Sequence, residues 1–387
     1  MNQGKYVFAQ LTELLPQRVF DRMVSKHDGN KYVRHFTCWN QLMCMVFGQI
    51  SGRESLRDLL VVIKAHQRKS YHLGFSKSVT LSNLAKANEK RSFLIFEQYA
   101  NYLIALARSK SNESDLGING KVYAFDSTTI DLCLGVFWWA TFRKTKAGIK
   151  LHTLFDITTQ IPAFVHFSEA DLHDVNAMDY LIYEPSAYYI FDRAYVDFNR
   201  LYTITRQKAF FVVRAKSNLK FNRMYSKKVD KSTGVKTDQI GKLSGFYTSK
   251  DYPDKIRRIK FYDTENDRTF VFLTNNFDLT ALQVAMLYKQ RWQVELFFKW
   301  IKQHLKVKSF WGTTENAVRI QINVAIITYC LVAILKNEHK IEQSTYEIIQ
   351  ILGMSLLDKT PVTELFTISN YNDVNERDSN QLKINLF

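Results

Sequence analysis

The sequence predicts a mixed α/β fold: a five-stranded mixed sheet with helices on its faces, behind a helical leading segment and interrupted by a β-rich insertion. Three observations predict it. Residues 1–110 place apolar residues at helical spacing between capping residues and breaks. From residue 121 short β-type runs alternate with helical segments. Residues 219–275 then turn to basic, alternating segments before helical spacing returns. The chain has 387 residues, 46% of them hydrophobic, enough for a large core and about two to three domains. Its 5 prolines and 14 glycines leave little room for long disordered linkers.

Taken in order, Thr37 caps a helix over 39–50 in which Leu42, Val46 and Phe47 share a face. Ser51 and Gly52 break it, and 54–66 forms a second helix. A third starts near Thr80 and carries Leu81, Leu84, Lys86, Lys90 and Arg91. Short basic helices joined by tight turns suit a helix-turn-helix DNA reader and a plain helical bundle equally well. Strands follow at 121–125, 146–156, 161–167, 187–191 and 210–214, with helices at 174–182 and 198–206. Inside the insertion, 257–262 and 269–273 alternate as strands do. Thr280 then caps one long helix reaching about residue 305, and a second apolar helix covers 314–336. The resulting division is a helical N-terminal domain over 1–115, suited to DNA binding if its helices are readers, an α/β core split into 116–218 and 276–345, expected to be the catalytic part, an insertion over 219–275, and a C-terminal helix and polar tail over 346–387.

The net charge is +16, and it is unevenly placed. Residues 1–110 hold 17 Lys and Arg against 7 Asp and Glu, and residues 219–275 hold 13 against 7; the remainder is balanced. Two basic segments around a neutral body suit a core flanked by parts that grip a polyanion, above all DNA. The four cysteines, Cys38, Cys44, Cys133 and Cys330, form no CxxC pair and have no histidines at zinc spacing, so they read as reduced core residues. The N-terminus lacks the apolar run of a signal peptide, and the most apolar stretch, 324–335, is shorter than the ~20 residues of a membrane span. A cytoplasmic protein with no membrane role is expected.

The acidic residues carry the chemistry. Phosphodiester cleavage commonly uses two divalent ions about 3.5–4 Å apart, held by a few carboxylates that converge at one end of a sheet. Asp126 ends the run VYAFD and Asp192 ends YYIFD. One aspartate after an aromatic β-run makes a turn or caps a helix; two, on strands expected to be adjacent, point to a site. Glu295 lies in LYKQRWQVELFFKWIKQHL. With about 100° per helical residue, Tyr288, Arg291, Glu295 and Lys302 fall within roughly 60° of one another, beside a stripe of Leu287, Val294, Phe298 and Ile301. A partly buried row of this kind needs partners, because unpaired buried charge is costly. Asp131 has the opposite strand parity to Asp126. Asp156, Glu169, Asp171 and Asp174 fit turns, caps or supporting roles. His152 and His173 read as structural groups or phosphate contacts. Arg143, Lys144, Lys146 and Lys150 form a basic run that either binds phosphates or blunts an edge strand.

Tyr288, two residues, Arg291, three residues, Glu295, six residues and Lys302 match the YREK motif in full, and Asp-Ser-Thr at 126 and Asp-Arg-Ala-Tyr at 192 precede it in the right order. Over about 120–340 the chain therefore resembles family four of the bacterial insertion-sequence transposases, and FAQLTELLP and TLSNLAKANEKR resemble that family's small leading domain. The resemblance implies an RNase H-like core whose Asp126, Asp192 and Glu295 hold two Mg²⁺ ions, with Mn²⁺ as a substitute. It implies that Tyr288, Arg291 and Lys302 contact phosphates of the element's end, with Arg193, Lys144 and Lys146 as further DNA contacts. The 102 residues between Asp192 and Glu295 leave room for the family's β-strand insertion. The implied function is cut-and-paste transposition on double-stranded DNA: cleavage at terminal repeats, a hairpin intermediate, joining to target DNA, and a homodimer in the synapse. A catalytically inactive DNA-binding derivative and a nuclease on the same fold are the alternatives. Tyr288 is left open between phosphate contact, stacking platform and packing.

Overall fold

In the computed structural model, which describes residues 4–75, 79–111, 114–133, 136–143, 146–304 and 310–367, the leading segment forms α1 (Val7–Thr12), α2 (Gln17–Lys26), α3 (Cys38–Ile50), α4 (Leu56–Ala65), α5 (Leu81–Lys90) and α6 (Phe93–Lys110). Thr37, Ser55, Thr80 and Ser92 start α3, α4, α5 and α6, each side-chain oxygen accepting a backbone N–H of the first turn. Nearly every residue of α3 is buried, so α3 is a core helix and does not read a DNA groove. α5 turns Lys86 and Lys90 to solvent.

The strands are β1 (Val122–Leu132), β2 (Thr141–Arg143), β3 (Lys146–Asp156), β4 (Ile161–Glu169), β5 (Tyr188–Phe191), β6 (Phe210–Arg214), β7 (Phe221–Lys227), β8 (Val235–Leu243), β9 (Ile256–Asp263) and β10 (Arg268–Thr274). They make one ten-stranded sheet in the order β2-β3-β1-β5-β6-β10-β9-β8-β7, with β4 also paired to β3. The expectation of five strands is therefore corrected. The five expected strands lie together as β4-β3-β1-β5-β6, but the insertion continues their sheet, because β10 pairs antiparallel with β6, placing Phe272 opposite Arg214. Without β10, the β6 edge would leave a row of backbone donors and acceptors open.

Both faces of the central strands are covered, which is why they read as continuous apolar runs. Tyr123, Phe125, Tyr189, Phe191, Phe211 and Val213 face a cluster that includes Leu201 and Ile204 of α7 (Phe198–Arg206). Their neighbours Val122, Ala124, Tyr188, Ile190 and Val212 face the larger cluster. That cluster joins the leading helices to α9 (Ala281–Gln290), α10 (Trp292–His304), α11 (Glu315–Glu338) and α12 (Thr345–Ser355); α8 (Thr248–Asp251) is a single turn in the insertion. The 174–182 helix is a 3-10 helix over Asp174–Tyr180. α11 is long and apolar enough to cross a membrane, longer than the 324–335 run suggested, but it is buried against α3 and α6.

The single helix expected from Thr280 to about 305 is two. α9 stops at Gln290 and α10 begins at Trp292. Across the joint, Arg291 N–H donates to the Tyr288 carbonyl at 3.1 Å and Val294 N–H to the Arg291 carbonyl at 3.2 Å. These are tighter three-residue bonds, so the axis is interrupted although Arg291 keeps helical dihedrals. No Gly or Pro marks the position. Residue 305, the expected end, lies outside the described residues.

Candidate active site

β1 and β5 run parallel with Tyr123 beside Tyr189 and Ala124 beside Ile190, an offset of 66 residues. Continued two residues past the last paired residues, the same offset leads from Asp126 to Asp192, which lies just beyond the end of β5. Both aspartates continue the set Val122, Ala124, Tyr188 and Ile190, which faces α9 and α10. Asp192 follows the last residue of β5, where the chain turns into a 3-10 turn over Arg193–Tyr195. Asp126 does not end its strand, as the VYAFD run suggested. Its antiparallel ladder with β3 carries β1 on to Leu132, opposite Ala147. Asp126 is instead the point where β1 outruns its parallel neighbour.

The joint between α9 and α10 stands over this point. Arg291 donates from Nη1 to Asp126 Oδ2 at 2.8 Å and from Nη2 to Glu295 Oε1 at 2.6 Å. Tyr288 donates its hydroxyl to Asp192 Oδ1 at 2.9 Å. Lys302 donates from Nζ to the Thr129 carbonyl at 2.6 Å, three residues past Asp126 on β1. The four positions that one helical face brought together thus all point at the same end of the sheet, despite the break at Arg291.

Burial pushes the Asp126 carboxyl up to about 6, and Glu295 and Asp192 push it the same way, while Arg291 and the Ser127 N–H oppose them. Three carboxylates therefore interact at this point. The folded protein holds the Asp126 proton more tightly than the unfolded chain, whose aspartate has a value near 3.8. This contribution to stability is present in full below about 4 and is lost as pH rises through about 6. The expected result is that Asp126→Asn flattens the fall in melting temperature between pH 4 and 6, measured by calorimetry without divalent cation; an unchanged slope would place the pH dependence elsewhere.

The Tyr288 ring is 9% exposed and packs at 4.7 Å from Phe272 and 6.1 Å from Phe270. Burial, then Asp192, raises its phenol further, so it stays a hydrogen-bond donor. Of the three roles left open, packing with a bond to a carboxylate is the one seen; stacking on a nucleotide would require the ring to leave this site. Arg193 is exposed beside Asp192. Lys144 lies outside the described residues, as do the side chains of Arg143 and Lys146. Lys150, of the same run, is held at 3.1 Å from Asp174 and donates to the Leu172 carbonyl at 2.6 Å.

Spacing alone did not show what braces Asp126. Its Oδ1 accepts the Ser127 N–H at 2.8 Å, and the Ser127 hydroxyl donates to Asp174 at 2.7 Å. Asp174 thus ties the start of its 3-10 helix to β1 and to Lys150. The remaining acids are accounted for differently. Asp156 pairs with Arg108 at 2.9 Å and holds the Thr158–Thr159 turn, while Asp131, Glu169 and Asp171 are exposed. His152 is fully buried, bonded to the Ser168 hydroxyl at 2.8 Å, and desolvation lowers it to about 4. It is a neutral core group and not a phosphate contact. The other unexpected feature is Trp292, 57% exposed beside Arg291, with Leu296 half-exposed one turn on. The helix is less covered than its composition implied.

The donor set, carboxylate oxygens from separate elements at one sheet end, is of the kind that hard divalent cations bind. Arg291 holds Asp126 and Glu295 to its own two prongs, and among the described residues no three His, Cys, Asp or Glu stand close enough to share one ion.

Comparison with known proteins bears on the family. The family model described as the transposase DDE domain matches residues 119–331, more than half of the chain. A domain of unknown function matches residues 3–76. A Sinorhizobium fredii protein named as a transposase is 35% identical over 67% of this chain and 72% of its own length. A Geobacillus stearothermophilus protein named as a transposase for an insertion sequence element is 32% identical over 62% of this chain and 63% of its own. A Synechocystis protein named likewise is 24% identical over 67% and 72%. A solved piggyBac transposase synaptic complex covers 94% of this chain and 82% of its own at 11% identity, with a TM-score of 0.46, too low to align residues. The chain belongs to the transposases of the DDE class.

Proposed function

We propose that this chain is a cut-and-paste transposase of the YREK type, family four of the insertion-sequence enzymes, and that Asp126, Asp192 and Glu295 are its catalytic carboxylates. The observation that carries this is that Arg291 joins Asp126 to Glu295 while Tyr288, three residues earlier, bonds Asp192, which gathers the three carboxylates at one end of the sheet. DDE transposases use divalent metal ions. Here two Mg²⁺ would be held by these three side chains, where they would polarise the scissile phosphate and ease deprotonation of the attacking hydroxyl.

The chain's own groups do the positioning. Tyr288 orients Asp192 by its hydroxyl, and the Ser127–Asp174 bond fixes the backbone that presents Asp126. Arg291, Lys302 and Arg193 supply positive charge around the reacting phosphate. In the first step water forms the new P–O bond, the P–O3′ bond breaks, and the departing 3′ oxygen takes a proton. The freed 3′-hydroxyl then attacks the opposite strand, closing a hairpin and releasing the flanking 3′ end; a second water opens the hairpin and frees the 3′-hydroxyl again, which finally attacks target DNA and displaces a 3′ end there. Each attack by a 3′-hydroxyl exchanges one phosphodiester bond for another, each attack by water consumes one, and no covalent bond to the protein forms. Away from the site, an open cleft of about 500 Å³ between the 27–36 loop and α5 is lined by Lys31, Arg34, Lys86 and Lys90. It supports the reading that residues 1–115 grip DNA backbone. Pairing of two element ends calls for a homodimer in the synapse, acting on chromosomal DNA in the cytoplasm.

The test uses the purified chain, Mg²⁺ and a duplex carrying the terminal repeat that brackets its gene. Cleavage at the repeat followed by joining of the 3′ end to a second duplex is expected. Cleavage without joining identifies a nuclease, and binding without cleavage identifies an inactive derivative.

A further inference from the structure

We infer that Arg291 competes with the divalent cation for Asp126 and Glu295, and moves to a DNA phosphate when the cation enters, so that metal and DNA bind cooperatively through one side chain. This rests on the reading of these carboxylates as the metal ligands.

Geometry argues it first. One guanidinium bridges carboxylates from β1 and α10, at 2.8 and 2.6 Å, and so sets their separation. The other oxygen of Asp126 already accepts the Ser127 N–H at 2.8 Å. Oδ2, the Asp126 oxygen not tied to its own backbone, is the one that Arg291 holds, so a cation bound there meets Arg291 directly. A guanidinium does not lose its proton, so the competition is between two cations at any working pH.

The fit of Arg291 is also incomplete. Its Nε–H is buried with no acceptor. A phosphate offers several oxygens to a planar fork of five donors and could satisfy what this pocket leaves unmet. The backbone allows the exchange, since Arg291 sits in the joint between α9 and α10, where three-residue bonds replace the regular ladder. A neighbouring surface is at hand as well: the guanidinium lies 5.8 Å from the centre of the Tyr288 ring. By linkage, whatever draws Arg291 away raises metal affinity, and metal raises DNA affinity by the same factor.

The test measures Mn²⁺ binding to the full chain by electron paramagnetic resonance, with no DNA present. Arg291→Gln is expected to bind Mn²⁺ at least tenfold more tightly than the native protein. Arg291→Lys, which keeps the charge but not the two-pronged bridge, is expected to bind it severalfold more tightly. Asp126→Asn should lose the site. In native protein labelled with ¹⁵N-arginine, the Arg291 Nε–H signal, assigned by its loss in Arg291→Gln or Arg291→Lys, should shift on adding Mg²⁺. That arm needs no variant to match native stability. Unchanged or weaker Mn²⁺ binding in Arg291→Gln, or an Arg291 signal that ignores Mg²⁺, overturns the inference while leaving the ligand reading intact. Mn²⁺ binding that survives Asp126→Asn overturns both.

Discussion

Glu295→Gln is expected to lower strand transfer by about 10³-fold or more, the scale of losing roughly 4 kcal/mol of transition-state stabilisation. Its cost in stability should be small. The Glu295 carboxylate is one-third exposed and pairs with Arg291 four residues earlier on the same helical run. Such pairs contribute about 0.3–0.5 kcal/mol, and glutamine keeps the shape and one acceptor oxygen. Activity and stability should therefore separate cleanly. The measurement is joining of a pre-cleaved element end to target DNA, alongside a melting curve. Full joining activity in the variant would remove Glu295 from the catalytic set; lost activity with a matching collapse in stability would make it a structural residue.

Arg257→Ala is expected to cost about 3–5 kcal/mol, because it leaves a buried aspartate without its partner. Arg257 is 1% exposed, and its Nε and Nη2 meet the two oxygens of Asp238 at 2.8 and 2.7 Å. Its Nη1 donates to the carbonyls of Asn276, at 3.3 Å, and Leu279, at 2.6 Å. The arginine thus ties two insertion strands, β8 and β9, to the residues just before the Thr280 cap of α9. Loss of it should loosen the start of the run that presents Tyr288 and Arg291 and depress catalysis as well as the melting temperature. Replacing both partners, Arg257→Met with Asp238→Leu, removes the buried charge altogether and should recover much of the stability. Thermal unfolding of the three variants checks this; a double variant no better than Arg257→Ala would mean that the carbonyl bonds, not the ion pair, carry the effect.

Much of the site was legible because it depends on short-range rules. Strand alternation over VYAFD and YYIFD placed each aspartate two residues beyond a buried partner, Ala124 and Ile190, on the same face. Helical rotation put Tyr288, Arg291, Glu295 and Lys302 on one side. The capping chemistry of Thr37 and Thr280 located two helix starts, with Thr280 and Gln283 forming a reciprocal capping box. What escaped the sequence depends on distant partners. Nothing near Asp126 says that β3 will extend β1 six residues past it. Nothing in Thr269–Phe272 says that β10 will choose the open edge of β6. The break at Arg291 has no Gly or Pro to announce it, and the Asp174–Ser127 bond joins residues 47 apart.

The sequence by itself thus determined which residues could act: their strand parity, their helical face, the caps that start the elements, and two basic segments suited to a polyanion. Tertiary structure alone decided what those residues touch. It joined the insertion to the core sheet, stood the α9–α10 joint over the aspartates, buried Tyr288 against Phe272, and gave Arg291 to Asp126 and Glu295 together. The division is physical. Parity, rotation and capping are set by neighbours a few residues apart, whereas pairing of strand edges and sharing of a guanidinium are settled by which buried groups, far apart in the chain, would otherwise be left without partners.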